Sequence, residues 1–260
     1  MGLRLFHVSD IHFGGENILA VAGAAQWLHD NPVDLIIATG DLTREGRPVE
    51  FAAARDWLSA MPAPVVVTPG NHDVPYFSIL YRAAMPWRRF RRWLGDWVIP
   101  PRIEGLALAG INTARGVQPR INWSKGQINH HQIGRAAARI SGMPPGTLKV
   151  IACHHPLVEI VGGPMTGKVW GGTRAAEALT RAGADLVLTG HVHTPFVHPY
   201  PYGDGRTYAV GAGTLSVRER GVPASFNCIE VEDECVTVTA QAWSGSHYAP
   251  WRTWRVDRRT

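Results

Sequence analysis

The feature that most constrains the fold is a repeated pattern of short apolar runs separated by longer amphipathic stretches. The runs are rich in β-branched residues and predict strands at 3–8, 33–38, 65–68, 106–111, 148–153 and 185–188. The stretches between them predict helices at 18–29, 49–59, 79–94, 124–140 and 173–182. Short apolar strands that alternate with helices indicate an α/β fold with a largely parallel sheet.

The pattern changes beyond residue 200, where apolar and polar residues alternate along two segments that meet at a turn near Asp233. Such alternation is typical of antiparallel strands. No linker-like segment precedes them, and 260 residues are enough to bury one full core. We therefore predict a single domain over 1–260, in which strands at about 205–256 complete the second sheet.

Composition excludes several classes of protein. Hydrophobic residues make up 45% of the chain and charged residues 18%, which fits a globular enzyme and not a disordered chain. No window has the roughly eighteen uninterrupted apolar residues of a membrane span, and the first residues do not resemble a secretory leader, so a cytoplasmic location is expected. The three cysteines form no CxxC pair, which argues against a disulfide framework or a thiolate zinc site.

Polar residues that can bind metals follow five of the six predicted strands. They occur in the segments VSDIHF, ATGDLT, PGNHDV, ACHHPL and LTGHVH. Ligands of open α/β sheets bind beyond the carboxyl ends of the strands, so these tips are expected to converge. The residues concerned are Asp10, His12, Asp41, Asn71, His72, Asp73, His154, His155, His191 and His193.

Imidazole, carboxylate and amide ligands without thiolate favour divalent transition metals over calcium. The set is too large for one ion, but it could hold two if a carboxylate such as Asp41 bridged them. Two divalent ions and two aspartates leave a charge of about +2, which favours an anionic substrate such as phosphate. Each residue alone could instead be a helix cap, a turn residue or a core histidine. Histidine recurs at four of the five tips, however, and turn chemistry does not explain that.

The ordered segments D-x-H, G-D, G-N-H-D, H and G-H-x-H resemble the signature of the calcineurin-like metallophosphoesterases. All five are present between residues 10 and 193. The resemblance implies an α/β fold with a two-sheet β-sandwich flanked by helices, and a dinuclear metal site at the carboxyl ends of the strands. The expected cofactors are two divalent transition metal ions, such as manganese, iron, zinc or cobalt.

The same resemblance implies a role for each residue. One metal would be held by Asp10, His12, Asp41 and His193, and the other by Asp41, Asn71, His154 and His191. A hydroxide between the metals would attack phosphorus, His72 would stabilise or protonate the leaving oxygen, and Asp73 would orient His72. Of the adjacent pair, His154 is preferred to His155 as the ligand because family members often have H-x-P.

Within the family, the chain looks most similar to the bacterial class III cyclic nucleotide phosphodiesterases and their glycerophosphodiesterase relatives. The expected substrate is therefore a cyclic nucleotide or a similar small phosphodiester, contacted by Asn71, His72, Lys168 and Trp170. The alternatives are a UDP-diacylglucosamine-type lipid pyrophosphatase, a nuclease, and a non-enzymatic interaction scaffold on the same fold. A homodimer is compatible with the sequence, and nucleic acid is not an expected partner.

A segment rich in arginine and tryptophan at 81–97 follows the third tip. Its apolar residues recur at helical spacing, which predicts a surface helix with solvated arginines. Peripheral contact with a membrane through 82–97 is the alternative, because basic aromatic helices also bind anionic surfaces.

Overall fold

The structure, a computed structural model, describes residues 2–159 and 169–259. In the first half of the chain its strands are β1 (Leu3–Val8), β2 (Leu35–Ala38), β3 (Val65–Val67), β4 (Leu106–Ile111) and β5 (Leu148–Cys153). The later strands are β6 (Leu186–Thr189), β7 (Phe196–Pro199), β8 (Tyr208–Gly211), β9 (Ser225–Val231), β10 (Cys235–Trp243) and β11 (Tyr248–Asp257).

The α-helices are α1 (Ile18–Asp30), α2 (Pro48–Ser59), α3 (Ile79–Ala84), α4 (Arg88–Leu94), α5 (His130–Ile140) and α6 (Gly172–Arg181). A single 3₁₀ turn, Gly95–Trp97, follows α4. Among the described residues, no helix has both the length and the apolar character needed to cross a membrane.

The strands form two sheets that pack against each other. One has the order β11-β10-β9-β1-β2-β3 and the other the order β4-β5-β6-β8-β7. Strands β1 to β3 are parallel, as are β4, β5, β6 and β8. The predicted α/β class, a two-sheet sandwich flanked by helices, is confirmed.

Side chains alternate between two layers, as the pleat of a strand requires. Leu5 and Ile37 of the first sheet pack with Val150 and Leu188 of the second in one buried cluster. Phe6 faces the opposite side, where it packs in the core cluster that includes residues of α1 and α2. The sandwich therefore holds the strand ends in fixed relative positions.

The C-terminal strands do not all lie where the sequence predicted. Strand β9 pairs with β1 in antiparallel register, and β10 and β11 continue outward from it. These three strands extend the sheet of β1, and only β8 of the predicted 205–256 region belongs to the other sheet. The reason is that β1 pairs with β2 along one edge, so that the backbone groups of its other edge are available for hydrogen bonds with β9.

Two predicted helices are shorter in the structure. The stretch 79–94 is broken into α3 and α4 at Pro86, because proline has no N–H and clashes with the preceding turn. The helix predicted at 124–140 begins only at His130. Its start is fixed by a capping box in which Asn129 accepts from the N–H of Gln132, and the Gln132 side chain accepts from the N–H of Asn129.

Candidate metal centre

The five strand tips converge at the carboxyl ends of β1, β2, β3, β5 and β6. Ligand atoms of Asp10, His12 and His193 lie within 4.8 Å of one another, and so do those of Asp10, Asp41 and His154. A third such group contains His154, His155 and His191. Residues separated by nearly two hundred positions in sequence therefore form one continuous cluster of potential ligands.

Asp41 lies between the two ends of this cluster. Its Oδ2 atom is 3.9 Å from Nε2 of His12 and 3.2 Å from Nε2 of His154. Its Oδ1 atom accepts a 2.7 Å hydrogen bond from the N–H of His72. One carboxylate oxygen is thus fixed by the backbone, while the other faces histidines on both sides.

Asp10 is held in a similar way. Its Oδ2 atom accepts a 2.8 Å hydrogen bond from the N–H of His191. Its Oδ1 atom lies 3.1 Å from Nε2 of His193 and 3.7 Å from Nε2 of His12. Both aspartates therefore direct one oxygen towards the imidazoles.

Backbone carbonyls set the orientation of two imidazoles. Nδ1 of His154 is 2.8 Å from the carbonyl oxygen of Thr39, and Nδ1 of His193 is 2.8 Å from that of Arg218. A carbonyl only accepts, so Nδ1 carries a proton in each ring and Nε2 faces the cluster, where it can bind a metal ion once its own proton is released. Metal-binding histidines are commonly oriented in this way.

The contacts inside the cluster fit metal coordination better than hydrogen bonding. Within residues 2–159 and 169–259, Asp10 Oδ1, Asn71 Oδ1 and His154 Nε2 are buried without a hydrogen-bond partner. His154 Nε2 and Asp41 Oδ2 are nevertheless only 3.2 Å apart. Two ligand atoms about 2.1 Å from one ion and at right angles to each other are separated by about 3 Å. These residues therefore fit the binding of metal ions.

The pKa values of the buried histidines show which charge state the cluster favours at each position. Burial lowers the pKa of His12 and of His191 to about 4, so both rings are neutral, as metal binding requires. Burial also opposes protonation of His154, but Asp41 and Asp10 outweigh it and raise the pKa of His154 to about 9. The two carboxylates thus create a position that favours positive charge.

The backbone is strained at the same positions. Among the described residues, five other than glycine have positive φ, between 51° and 71°, and all five are predicted ligands. They are Asp10, His12, Asp41, His191 and His193. A left-handed conformation costs roughly 1–2 kcal/mol for a residue with a Cβ atom, so the fold accepts strain to direct these side chains inward.

Two glycines permit the close approach of the strand tips. A Cβ atom on Gly70 would overlap the carboxylate and backbone of Asp41, and one on Gly190 would overlap Ser9 and the carboxylate of Asp10. No larger residue fits at either position without moving a predicted ligand.

His155 is held differently from His154. Its Nδ1 atom is 2.8 Å from the hydroxyl of Thr113, and its Nε2 atom is 2.7 Å from the carbonyl oxygen of Ser124. Both ring nitrogens therefore have hydrogen-bond partners. Of the two neighbours, His154 is the one whose Nε2 atom is available to a metal.

The structure corrects the role predicted for Asp73. The ring of His72 is oriented by the carbonyl oxygen of Arg44, which lies 2.7 Å from Nδ1. The carboxylate of Asp73 accepts instead from the N–H of Gly70 and from the N–H and hydroxyl of Thr43. Burial and the nearby Asp41 raise the pKa of Asp73 to about 6. Asp73 therefore stabilises the loop and does not orient the His72 ring.

The predicted substrate contacts are only partly described. Lys168 lies outside the described residues. Trp170 is 40% exposed, and the guanidinium of Arg120 lies 3.8 Å from its ring centroid. The backbone of Trp170 bonds to Gly126 and Ile128, and a Cβ atom on Gly126 would touch the ring of His155. Trp170 is therefore close to the metal cluster.

Several residues that shape the site were not predicted from the sequence. The carbonyls of Thr39, Arg44, Ser124 and Arg218 orient histidine rings, and side-chain identity gives no signal for a backbone group. Thr113 did have a signal, because it follows the predicted strand at 106–111, the one of the six to which no ligand was assigned. That strand tip faces the same cluster as the other five.

Comparison with known proteins identifies the family. Residues 3–195 match the family model described as calcineurin-like phosphoesterase, which covers well over half of the chain. The chain belongs to the calcineurin-like phosphoesterases. The predicted enzyme class, a dinuclear metal phosphoesterase, is confirmed by this membership.

Relatives of this phosphoesterase have names that specify a substrate. A protein of Synechococcus sp. named as a probable cyclic nucleotide phosphodiesterase is 25% identical over 90% of this chain and 89% of its own length. The 3',5'-cyclic adenosine monophosphate phosphodiesterase of Escherichia coli K12 is 21% identical over 60% of this chain and 56% of its own. Among solved structures, PhoD has the same fold, with a TM-score of 0.71, 12% identity, and coverage of 99% of this chain and 70% of that one.

Proposed function

We propose that this phosphoesterase hydrolyses small phosphodiesters, with cyclic nucleotides among its substrates, and that it requires two divalent transition metal ions. The position of Asp41 carries the proposal, because its carboxylate faces His12 and His154 and would therefore belong to both ligand sets. The Synechococcus relative supports the substrate class, since the similarity covers about nine-tenths of both chains.

The residues divide into two ligand sets that share Asp41. The first contains Asp10, His12, Asp41 and His193, and the second contains Asp41, Asn71, His154 and His191. When bound, the two ions would supply Lewis-acid charge and lower the pKa of a bound water. The protein itself fixes the ligand oxygens through the N–H groups of His72 and His191, so little reorganisation is needed on binding.

His72 serves the leaving group in this proposal. Its Nδ1–H donates to the carbonyl of Arg44, and its ring meets that of His12 edge-on at 4.8 Å between centroids. A ligand atom of His72 also lies within 4.8 Å of Asp41 and His12. Nε2 can therefore hold a proton beside the metal cluster and donate it to the departing oxygen.

Trp170 supplies a surface for the base of a nucleotide. Its indole is half-buried, its backbone bonds to Gly126 and Ile128 next to His155, and Arg120 stacks on the ring. Aromatic faces bind nucleobases by stacking, without strong preference for one base. Lys168 stays a predicted phosphate contact.

One observation favours a second candidate, a lipid pyrophosphatase. The segment just after the Asn71–Asp73 loop exposes several apolar side chains, with Phe77 68% exposed, Ile79 64% and Leu80 85%. Exposed apolar clusters mark sites of contact with proteins, lipids or apolar ligands. A lipid substrate would bring its acyl chains to such a segment.

A panel of substrates separates these functions. Protein stripped with a chelator and reloaded with Mn²⁺ would be tested on 3',5'-cyclic AMP, a glycerophosphodiester, a UDP-diacylglucosamine and single-stranded DNA. We expect turnover of the first two and no activity in the stripped protein. Asp41→Ala, treated identically, serves as the control for contaminating phosphatases. Turnover of the lipid pyrophosphate alone would favour the lipid pyrophosphatase over the phosphodiesterase. Full activity without any transition metal would overturn the proposal.

A further inference from the structure

A cavity of about 580 Å³ lies on the side of the molecule where the edge strands of the two sheets approach each other. Much of its wall is apolar and is formed by Trp87, Phe90, Ile99, Leu108 and Ile111. The volume is within the range of small-molecule binding sites. Ile99 is 81% exposed, so the wall continues to the surface.

Three arginines also line this cavity. Arg91 comes from α4, and Arg135 and Arg139 lie one turn apart on α5. Over the described ranges, none of the three forms an ion pair, and no aspartate or glutamate lines the cavity. Like charges one helical turn apart repel each other, so an anion bound between them would be stabilised.

The two amide side chains in the wall are already engaged. Gln132 donates to the carbonyl of Asn112 and accepts from Arg115, while Asn112 accepts from the N–H of Ala114. Few groups are therefore left to recognise a nucleobase or a sugar. The chemistry that fits is an apolar chain along the wall and an anionic group on the arginines.

The cavity is separate from the metal centre but adjacent to it. None of the predicted ligands lines it among the residues that the structure describes. Pro69 does line it, and the next residue, Gly70, packs against Asp41. A ligand in the cavity would thus sit behind the loop that carries Asn71.

We propose that this cavity binds an amphipathic anion, an alkyl or acyl chain that ends in a phosphate group. The chain lies against Trp87, Ile99 and Leu108, and the phosphate lies between the guanidinium groups of Arg91, Arg135 and Arg139. Arginine binds phosphate through paired, charge-assisted hydrogen bonds, and its planar group suits this geometry.

The test is isothermal titration calorimetry of the metal-loaded protein with octylphosphonate below its micelle concentration, a probe that a phosphoesterase does not cleave. We expect saturable binding of octylphosphonate to the parent protein. The affinity should fall by roughly tenfold in each of the variants R91Q, R135Q and R139Q, because tenfold corresponds to the loss of about one charge-assisted hydrogen bond. The triple variant R181Q/R206Q/R252Q removes the same charge from exposed positions outside the cavity and should bind as the parent does.

Two further probes locate the bound molecule. Ethylphosphonate can occupy the metal centre but has no chain for the cavity, and octyl glucoside has the chain without the charge. Equal affinity for ethylphosphonate and octylphosphonate would place the ligand at the metal centre and overturn the proposal. An affinity for octyl glucoside equal to that for octylphosphonate would overturn it as well. So would an affinity for octylphosphonate that is unchanged in the arginine variants. Binding is measured without turnover, so the result does not depend on which phosphodiester the enzyme hydrolyses.

Discussion

Nδ1 of His72 lies 2.7 Å from the main-chain carbonyl oxygen of Arg44, so the orientation of this ring is set by the backbone and not by a carboxylate. A neighbouring carboxylate would stabilise the protonated ring strongly, whereas a carbonyl mainly fixes its rotation and tautomer. The ring is therefore positioned for proton transfer through Nε2.

For His72→Ala we expect a loss of roughly a hundred- to ten-thousand-fold in kcat on alkyl phosphodiesters, the usual range for general acid catalysis. On bis(nitrophenyl) phosphate the loss should be much smaller, because nitrophenolate leaves without a proton. Metal content, measured by elemental analysis, should match the parent. Equal losses on both substrates would indicate a role in phosphate binding instead.

His154 and His155 should differ in their effect on metal content. His154→Ala removes a nitrogen that faces Asp41 at 3.2 Å, so we expect loss of about one ion per chain and loss of activity on every substrate. His155→Gln removes contacts to Thr113 and Ser124, so we expect both ions to be retained and the unfolding temperature to fall. If His155→Gln lost an ion and His154→Ala did not, the assignment of the ligand would be reversed.

Asp73→Asn should act on stability. The asparagine amide cannot accept all three hydrogen bonds that Gly70 and Thr43 donate to the carboxylate, because its NH₂ group would face one of the backbone N–H groups. We expect this mismatch to lower the free energy of unfolding by about 2 kcal/mol. Thr43→Val removes only the hydroxyl donor and should cost less. Denaturant titration measures both. The ratio of alkyl to nitrophenyl activity should be that of the parent, and a selective loss on alkyl diesters would restore the orienting role to Asp73.

His7 should make folding stability depend on pH. The ring is fully buried, and burial lowers its pKa from 6.5 to about 3. Its Nε2 lies 3.0 Å from the Thr39 hydroxyl, and the amide of Asn227 lies 3.3 Å from Nδ1, so the neutral ring is the one that fits.

Because the folded pKa is below the unfolded value, the stabilisation is complete above pH 6.5 and is lost as pH falls towards 3. Within that window His7 contributes about 1.4 kcal/mol per pH unit. Urea unfolding of chelator-treated protein between pH 4 and pH 7.5 should show a pH dependence that is smaller by about one proton in His7→Gln. An identical pH dependence in both proteins would show that His7 is protonated in the folded state.

The sequence predicted the strands and the converging tips well because both depend on local patterns. β-branched runs formed strands, and the polar residues after them met at one edge, as with Asp41 after β2. Partners chosen over long distances were harder to predict, since nothing local in 225–231 indicates pairing with β1. Pro86 is a local signal for a helix break, although the apolar residues on its C-terminal side recur at helical spacing. The orientation of His72 could not be predicted, because the group that sets it is a peptide carbonyl.

The positive φ angles at Asp10, His12, Asp41, His191 and His193 have a consequence for protein engineering. Glycine at any of them would relieve backbone strain of roughly 1–2 kcal/mol, although it would also remove a side chain that faces the metal cluster. A library selected only for heat resistance would therefore enrich glycine at these five codons and accumulate inactive proteins. Stabilisation of this enzyme therefore has to keep the five residues unchanged and raise thermal stability through substitutions elsewhere. The strained backbone conformations belong to the residues that face the metal cluster.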